Sequence, residues 1–253
     1  MYIVTMSQRK PPQEQIDYIL NLFKSNQIQQ ALDFIDTLSK DYPDKSLLFN
    51  IRGAGYAGLG QLDIAVQNYE KALSIKPDYA KAHYNLGSAL QELGKLHDSV
   101  KSYENSIALE PENAQAHNNL AIVLRELDQL EEAEASCRKA IVLDPEYAEA
   151  YSSLSVILYA NGDLNSALES IEKAYSIDPK SKIIKLLLAV LKARKTHKTS
   201  KVSISNISNS GFDTRLTSNP LILNRAVEQE LIAKLYEMKS LERYPNTDTI
   251  YGN

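Results

Sequence analysis

Five prolines stand at one interval: Pro43, Pro77, Pro111, Pro145 and Pro179, each 34 residues after the last. A residue pattern travels with them. Twelve positions before each proline is a small residue: Ala31, Ala65, Ser99, Ala133 and Ala167. Eight positions before each is a larger one: Ile35, Tyr69, Tyr103, Cys137 and Ile171. A fixed period of this length marks a supersecondary unit copied along the chain, each copy burying its apolar face against its neighbours instead of in one central core. Within each period two runs carry apolar residues at i, i+3, i+4 and i+7, the spacing of an amphipathic helix. In the first period these are Ile16, Ile19, Leu20 and Phe23, then Ala31, Ile35 and Leu38, with Asn26 at the turn between. Proline has no backbone N–H to give, so it closes each second helix and opens the next unit. The class is all-α.

The stretch Ala80 to Pro111, AKAHYNLGSALQELGKLHDSVKSYENSIALEP, holds Leu86-Gly87, Leu90, Gly94, Tyr103 and Pro111 in one register. It resembles the tetratricopeptide repeat (TPR), and the likeness covers residues 12–195. The resemblance implies a right-handed superhelix of five helix-turn-helix repeats, at about 12–44, 45–77, 78–111, 112–145 and 146–179, closed by a capping helix over 180–195. An end helix needs a polar outer face, which Lys182, Lys185 and Lys192 supply. Residues 1–11 read as a flexible lead.

Several positions depart from the family pattern. Leu38 stands where a small residue is usual, and Arg52 replaces the leucine beside Gly53. Gly53 lets the second helix approach and Tyr69 fills the gap beside it. With Gly55 and Gly58 present, the first helix of the second repeat is the weakest by propensity, at roughly 1 kcal/mol per interior glycine relative to alanine.

Beyond the array the composition changes. Residues 196–219, THKTSKVSISNISNSGFDTRLTSN, are rich in Ser, Thr and Asn and read as a linker, in which Val202-Ser203-Ile204 alternates like a short strand. Asn219-Pro220 is a helix start. An amphipathic helix is expected over 220–243, with Leu223, Val227, Leu231, Leu235 and Met238 on one stripe, and Pro245 bars its continuation into the 244–253 tail. That stripe either folds back on the end of the array or belongs against a further domain.

The net charge of −4 conceals a split. Residues 1–191 hold 18 Lys and Arg against 26 Asp and Glu, a net of −8, whereas residues 192–253 hold 10 against 6, a net of +4. An acidic array argues against nucleic acid, since phosphate binding needs clustered cations. The cluster Lys192, Arg194, Lys195, Lys198 and Lys201 reads as a solvated helix end and linker. No run reaches the ~18 apolar residues of a membrane span, and MYIVT is too short for a signal peptide, so no membrane partner is expected. The single cysteine, Cys137, excludes an internal disulfide and fits a reducing, cytoplasmic setting.

The search for chemistry finds no catalytic set, cofactor site or metal site. His83 and His117 occupy equivalent places in adjacent repeats, and neighbouring helices stand roughly 8–10 Å apart, so one zinc would have to draw both rings together; a bulky packing residue is usual at this place, and packing is the expected role. Cys137 lies on the apolar side of its helix and reads as a buried structural thiol. No glycine-rich phosphate loop follows a strand.

Asn85 and Asn119 each precede the Leu-Gly or Leu-Ala pair of their repeat. In the family, first helices line the concave face, and asparagine here resembles the ladder of the O-linked N-acetylglucosamine transferase repeats, which holds a peptide's main chain. A side-chain amide donates and accepts at once, so it pairs with any peptide group; the alternative is that both asparagines are simply solvated. Ile51 and Ser153 stand at the equivalent places. The other groove positions are Lys81, Tyr84 and Ser88; Gln115, Asn118 and Ile122; Glu149, Ser152 and Val156. That mixture lacks the cations with which some TPR proteins clamp a chain terminus.

The expected function is a non-catalytic interaction module for a peptide or partner helix, with oligomeric state left open. The alternative is the substrate-recruiting part of an enzyme, an oxygenase or a glycosyl or sulfuryl transferase. It rests on a likeness of the linker, helix and Tyr251-Gly252-Asn253 tail to the junction with a 2-oxoglutarate/Fe(II) oxygenase domain. The His-x-acid pair of such a domain is absent, as none of His83, His97, His117 or His197 has an acid two residues on.

Overall fold

The structure, a computed structural model, describes residues 11–204, with nothing to be said of side chains beyond residue 196. Among the described residues there are eleven helices and no strand. They fall into two compact units, one of residues 11–146 and one of residues 147–204.

The first unit holds α1 (Gln13–Lys24), α2 (Ile28–Asp41), α3 (Ser46–Gly58), α4 (Leu62–Ile75), α5 (Ala80–Glu92), α6 (Leu96–Leu109), α7 (Ala114–Glu126) and α8 (Leu130–Leu143). The second holds α9 (Ala148–Ala160), α10 (Leu164–Ile177) and α11 (Lys182–Ile204). Each helix of the pairs α3/α4, α5/α6, α7/α8 and α9/α10 packs on its mate, and within the first unit α4 packs on α5 and α6 on α7.

Proline ends the second helices for a visible reason. α2, α4, α6, α8 and α10 are each 14 residues long. The residue before each proline is pushed out of the helical region, since the proline ring collides with a preceding helical backbone. Tyr42, Lys76, Glu110, Asp144 and Asp178 accordingly lie at φ −132°, −134°, −131°, −137° and −121°.

The turn inside each pair is equally regular. Asn26, Gly60, Gly94, Asp128 and Gly162, spaced by the same 34 residues, all have positive φ, between 57° and 88°. Each is a left-handed residue closing a helix. Its own N–H and the next one turn back to carbonyls of the last turn, as in Gly94 N to Gln91 O at 2.9 Å and Lys95 N to Leu90 O at 2.9 Å. The pairing satisfies carbonyls that a helix end otherwise leaves bare. Asp128 shows that the turn does not require glycine.

Close approach of the paired helices sets the remaining pattern. A Cβ added to Gly53 would lie 2.6 Å from Tyr69 Cε1, and one added to Gly87 would lie 3.0 Å from Tyr103 Cδ1. Gly55 faces the preceding repeat instead, where a Cβ would meet Leu32 Cδ2 at 2.9 Å. Small hydroxyl residues tie two of the crossings: Ser99 Oγ donates to Gly87 O at 2.7 Å, and Ser155 Oγ donates to Ala167 O at 2.8 Å. Leu38, large for its place, is absorbed into the cluster of Ile16, Ile19, Phe23, Ile35, Leu48 and Ile51 that joins α1, α2 and α3. Arg52 reaches back to Asp36 of α2 at 3.1 Å.

One local expectation is corrected. Val202-Ser203-Ile204 is the last turn of α11, not a strand, and the helix passes the expected boundary at 195. A helix satisfies its backbone from within, whereas so short a strand needs a partner to receive its hydrogen bonds. The rest of the expected linker, the 220–243 helix, the tail and most of the lead lie outside the described residues.

Candidate functional site

In the first unit, α3, α5 and α7 lie side by side, so their outward positions form one surface. Three side-chain hydrogen bonds cross between repeats on this surface, and all span 35 residues. Asn85 Nδ2 donates to Asn50 Oδ1 at 3.0 Å, Asn119 Nδ2 donates to the Tyr84 hydroxyl at 2.8 Å, and Gln91 Nε2 donates to Glu126 Oε1 at 3.0 Å. A separation of one period plus one residue places each donor beside its acceptor on the neighbouring first helix.

Asn50 is 2 % exposed and anchors the first of these links. Its side chain also bonds the hydroxyl of Tyr79 in the turn before α5; burial pushes that phenol up in pKa, against the pull of the Asn50 bond. The chain Asn85–Asn50–Tyr79 therefore joins two repeats through polar groups. Asn85 and Asn119 themselves are half-buried. Each commits one amide N–H to the preceding repeat, and the amide retains an oxygen and a second N–H.

Around them, Tyr84 and Ser88 on α5 and Ile122 on α7 are half-buried, and Gln115 is exposed. The Tyr84 ring stands edge-on to buried Tyr103, with centroids 5.7 Å apart, which fixes the hydroxyl that receives Asn119. Lys81 is half-buried; desolvation holds its ammonium below the usual lysine range, opposed by the Glu110 carboxylate. Asn118 is turned inward: it is 3 % exposed and accepts from Cys137 Sγ at 3.8 Å. Ser152 and Val156 are half-buried on α9 and belong to the second unit. At the places equivalent to the two asparagines, Ile51 and Ser153 are buried.

Two further groups belong to this surface and were not among the residues expected from the sequence. Asn50 falls one period before Tyr84, the acceptor of the second link and an expected groove position, and that shared register is the signal that could have found it. Arg125, near the end of α7, lies 4.0 Å from Glu126, and burial lowers its pKa against that carboxylate. Its neighbour Glu126 receives Gln91, which marks the polar end of the surface.

The residues singled out for chemistry take structural roles. His83 Nε2 lies 2.9 Å from Pro77 O and His117 Nε2 lies 3.0 Å from Pro111 O. A carbonyl only accepts, so each ring carries its proton on Nε2 and ties its first helix to the proline that opens the repeat. Cys137 is fully buried. Among the described residues no group of three His, Cys, Asp or Glu side chains is placed to hold a metal ion, and no helix is long and apolar enough to cross a membrane.

Comparison with known proteins agrees with the repeat fold. The family model described as "TPR repeat" matches residues 56–94, and two described as "Tetratricopeptide repeat" match residues 84–148 and 148–181. Among solved structures, a TPR protein with an unusual peptide-binding site, YrrB, is 22 % identical, covers 71 % of this chain and 90 % of its own, and superposes with a TM-score of 0.59. A thermophilic TPR protein of Thermus thermophilus is 20 % identical, covers 72 % of this chain and 98 % of its own, and has a TM-score of 0.59. Among curated proteins, the peroxisomal targeting signal receptor of Kluyveromyces lactis is 29 % identical over 75 residues, 30 % of this chain and 13 % of the receptor. The likeness thus spans a small part of that receptor's length. The three family matches lie within 56–181, and the oxygenase-junction likeness concerns residues outside those described. Helix pairs at a 34-residue period, the glycine–tyrosine crossings and the matching family models establish an all-α TPR solenoid: the chain is a tetratricopeptide-repeat protein.

Proposed function

We propose that the chain is a non-catalytic interaction module and that the α5/α7 surface of its first unit binds an extended segment of a partner protein. One observation carries this reading. Asn85 and Asn119, one period apart, are each anchored to the preceding repeat through one amide N–H, leaving an oxygen and an N–H on a fixed amide. Main-chain peptide groups need that combination, and anchored amides lose less side-chain freedom when a ligand arrives. Lys81, Tyr84, Ser88, Gln115 and Ile122 surround the pair with mixed polarity, suited to a chain whose side chains alternate in character. The TPR protein YrrB is described by its peptide-binding site, and the Kluyveromyces lactis relative is a targeting-signal receptor; both support a peptide ligand here.

The test is a selection of a random peptide display library on the full chain, followed by titration of an enriched peptide. Asn85→Ala combined with Asn119→Ala is expected to weaken binding about tenfold, or about 1.4 kcal/mol. Val142→Asp, at a residue 72 % exposed on a second helix, leaves affinity unchanged. Circular dichroism confirms that the variants remain folded. Equal affinity for the double variant and the native chain overturns the reading.

A further inference from the structure

The register of α11 shows that the array changes character at its end. Ile183, Leu186 and Val190 fall one period after Glu149, Ser152 and Val156, so they occupy the groove positions of this helix. Leu186 is 37 % exposed, and Ile183 and Val190 are only half-buried. They run along the helix at i, i+3 and i+7, apart from Ile184 and Leu191, which are buried in the second unit, where α11 packs on α10. In contrast, Lys182, Lys185 and Lys192 fall one period after Ala148, Tyr151 and Leu158, and all three are exposed. Cations there suit water; they do not suit a further second helix. The uncovered apolar side is therefore the groove side.

We infer that the amphipathic segment 220–243 of the same chain docks on the Ile183–Leu186–Val190 face of α11. Three features select this occupant. First, wound as a helix at about 100° per residue, the segment gathers Leu223, Val227, Leu231, Leu235 and Met238 into one stripe, an apolar partner for an apolar face. Second, the charges are complementary. Glu228, Glu230, Glu237 and Glu242 lie beside or within the stripe with two cations, Lys234 and Lys239, whereas Arg225 and Arg243 lie opposite it, so acids outnumber cations on the stripe side. From 182 to 204, α11 has seven Lys and Arg and no acid. Third, the residues between 204 and 220 reach roughly 50 Å when extended at about 3.3 Å each, enough to return along a helix rising about 1.5 Å per residue. This inference is independent of the α5/α7 surface.

Hydrogen exchange on the full chain tests it. A helix of this length is marginal alone in water, so strong protection reports docking. Amides 227–238 are expected to exchange at least ~100-fold slower than an open coil, equally at low and high protein concentration. Leu186→Asp with Val190→Asp should return them to coil rates. Leu231→Asp with Leu235→Asp, which cannot unfold α11 by cavity or clash, should do the same and speed exchange at 186–190. Coil-rate exchange at 227–238 in the native chain overturns the inference. So does protection that appears only as a dimer forms, which would make a second copy the occupant, or protection that survives both pairs of substitutions.

Discussion

Gly53 and Gly87 show what a single missing methyl does for a repeat. An interior helical glycine costs roughly 1 kcal/mol against alanine, so propensity alone disfavours both. Space keeps them. At Gly53 an added Cβ would stand 2.6 Å from the Tyr69 ring, whereas at Gly87 it would stand 3.0 Å from Tyr103. Tyr69 is nearly fully buried, and burial, reinforced by the Glu92 carboxylate, pushes its phenol far above its usual value. Tyr103 is as buried, so neither ring has much room to retreat and the closer approach at Gly53 decides between them. Gly53→Ala should therefore lower stability by about 1–3 kcal/mol, while Gly87→Ala stays within about 1 kcal/mol of the native chain because propensity offsets the milder contact. Urea unfolding midpoints measure both, and coincident midpoints for the two variants contradict the packing account.

Between elements, the links that matter run from one first helix to the next. Removing the Asn85 amide deprives buried Asn50 of a donor, and an orphaned buried polar group costs about 1–3 kcal/mol. Asn50→Ala, Asn85→Ala and the double variant should show a coupling of at least ~0.5 kcal/mol in urea unfolding; additive effects would mean that the 3.0 Å bond does not link the repeats. This level of order was hard to see in the sequence. The 34-residue period made the helices, their pairing and the all-α fold legible, because proline and glycine act on their own backbone wherever they stand. The polar links escaped because their partners are 35 residues apart, one step out of register, and of unlike type: Asn with Asn, Asn with Tyr, Gln with Glu. Asn118 was equally opaque. It shares the register of half-buried Tyr84 and of buried Asn50, so register alone does not say which way the side chain turns; here it accepts from Cys137.

At the scale of the whole molecule, the repeats leave their first-helix positions free to differ without loss of fold, and the sequence uses that freedom unevenly. In the first unit the α5/α7 positions are polar and mutually anchored, whereas on α11 the equivalent positions are apolar. The first kind of surface suits a peptide main chain, and the second suits an apolar stripe. The central claim is that the anchored polar surface is the binding face. Amide chemical-shift mapping of the full chain with a peptide enriched from a random library tests it most directly. The account predicts perturbations concentrated over residues 81–92 and 115–126, with the side-chain amides of Asn85 and Asn119 among them. Perturbations confined to the second helices, over 62–75, 96–109 or 130–143, would contradict it.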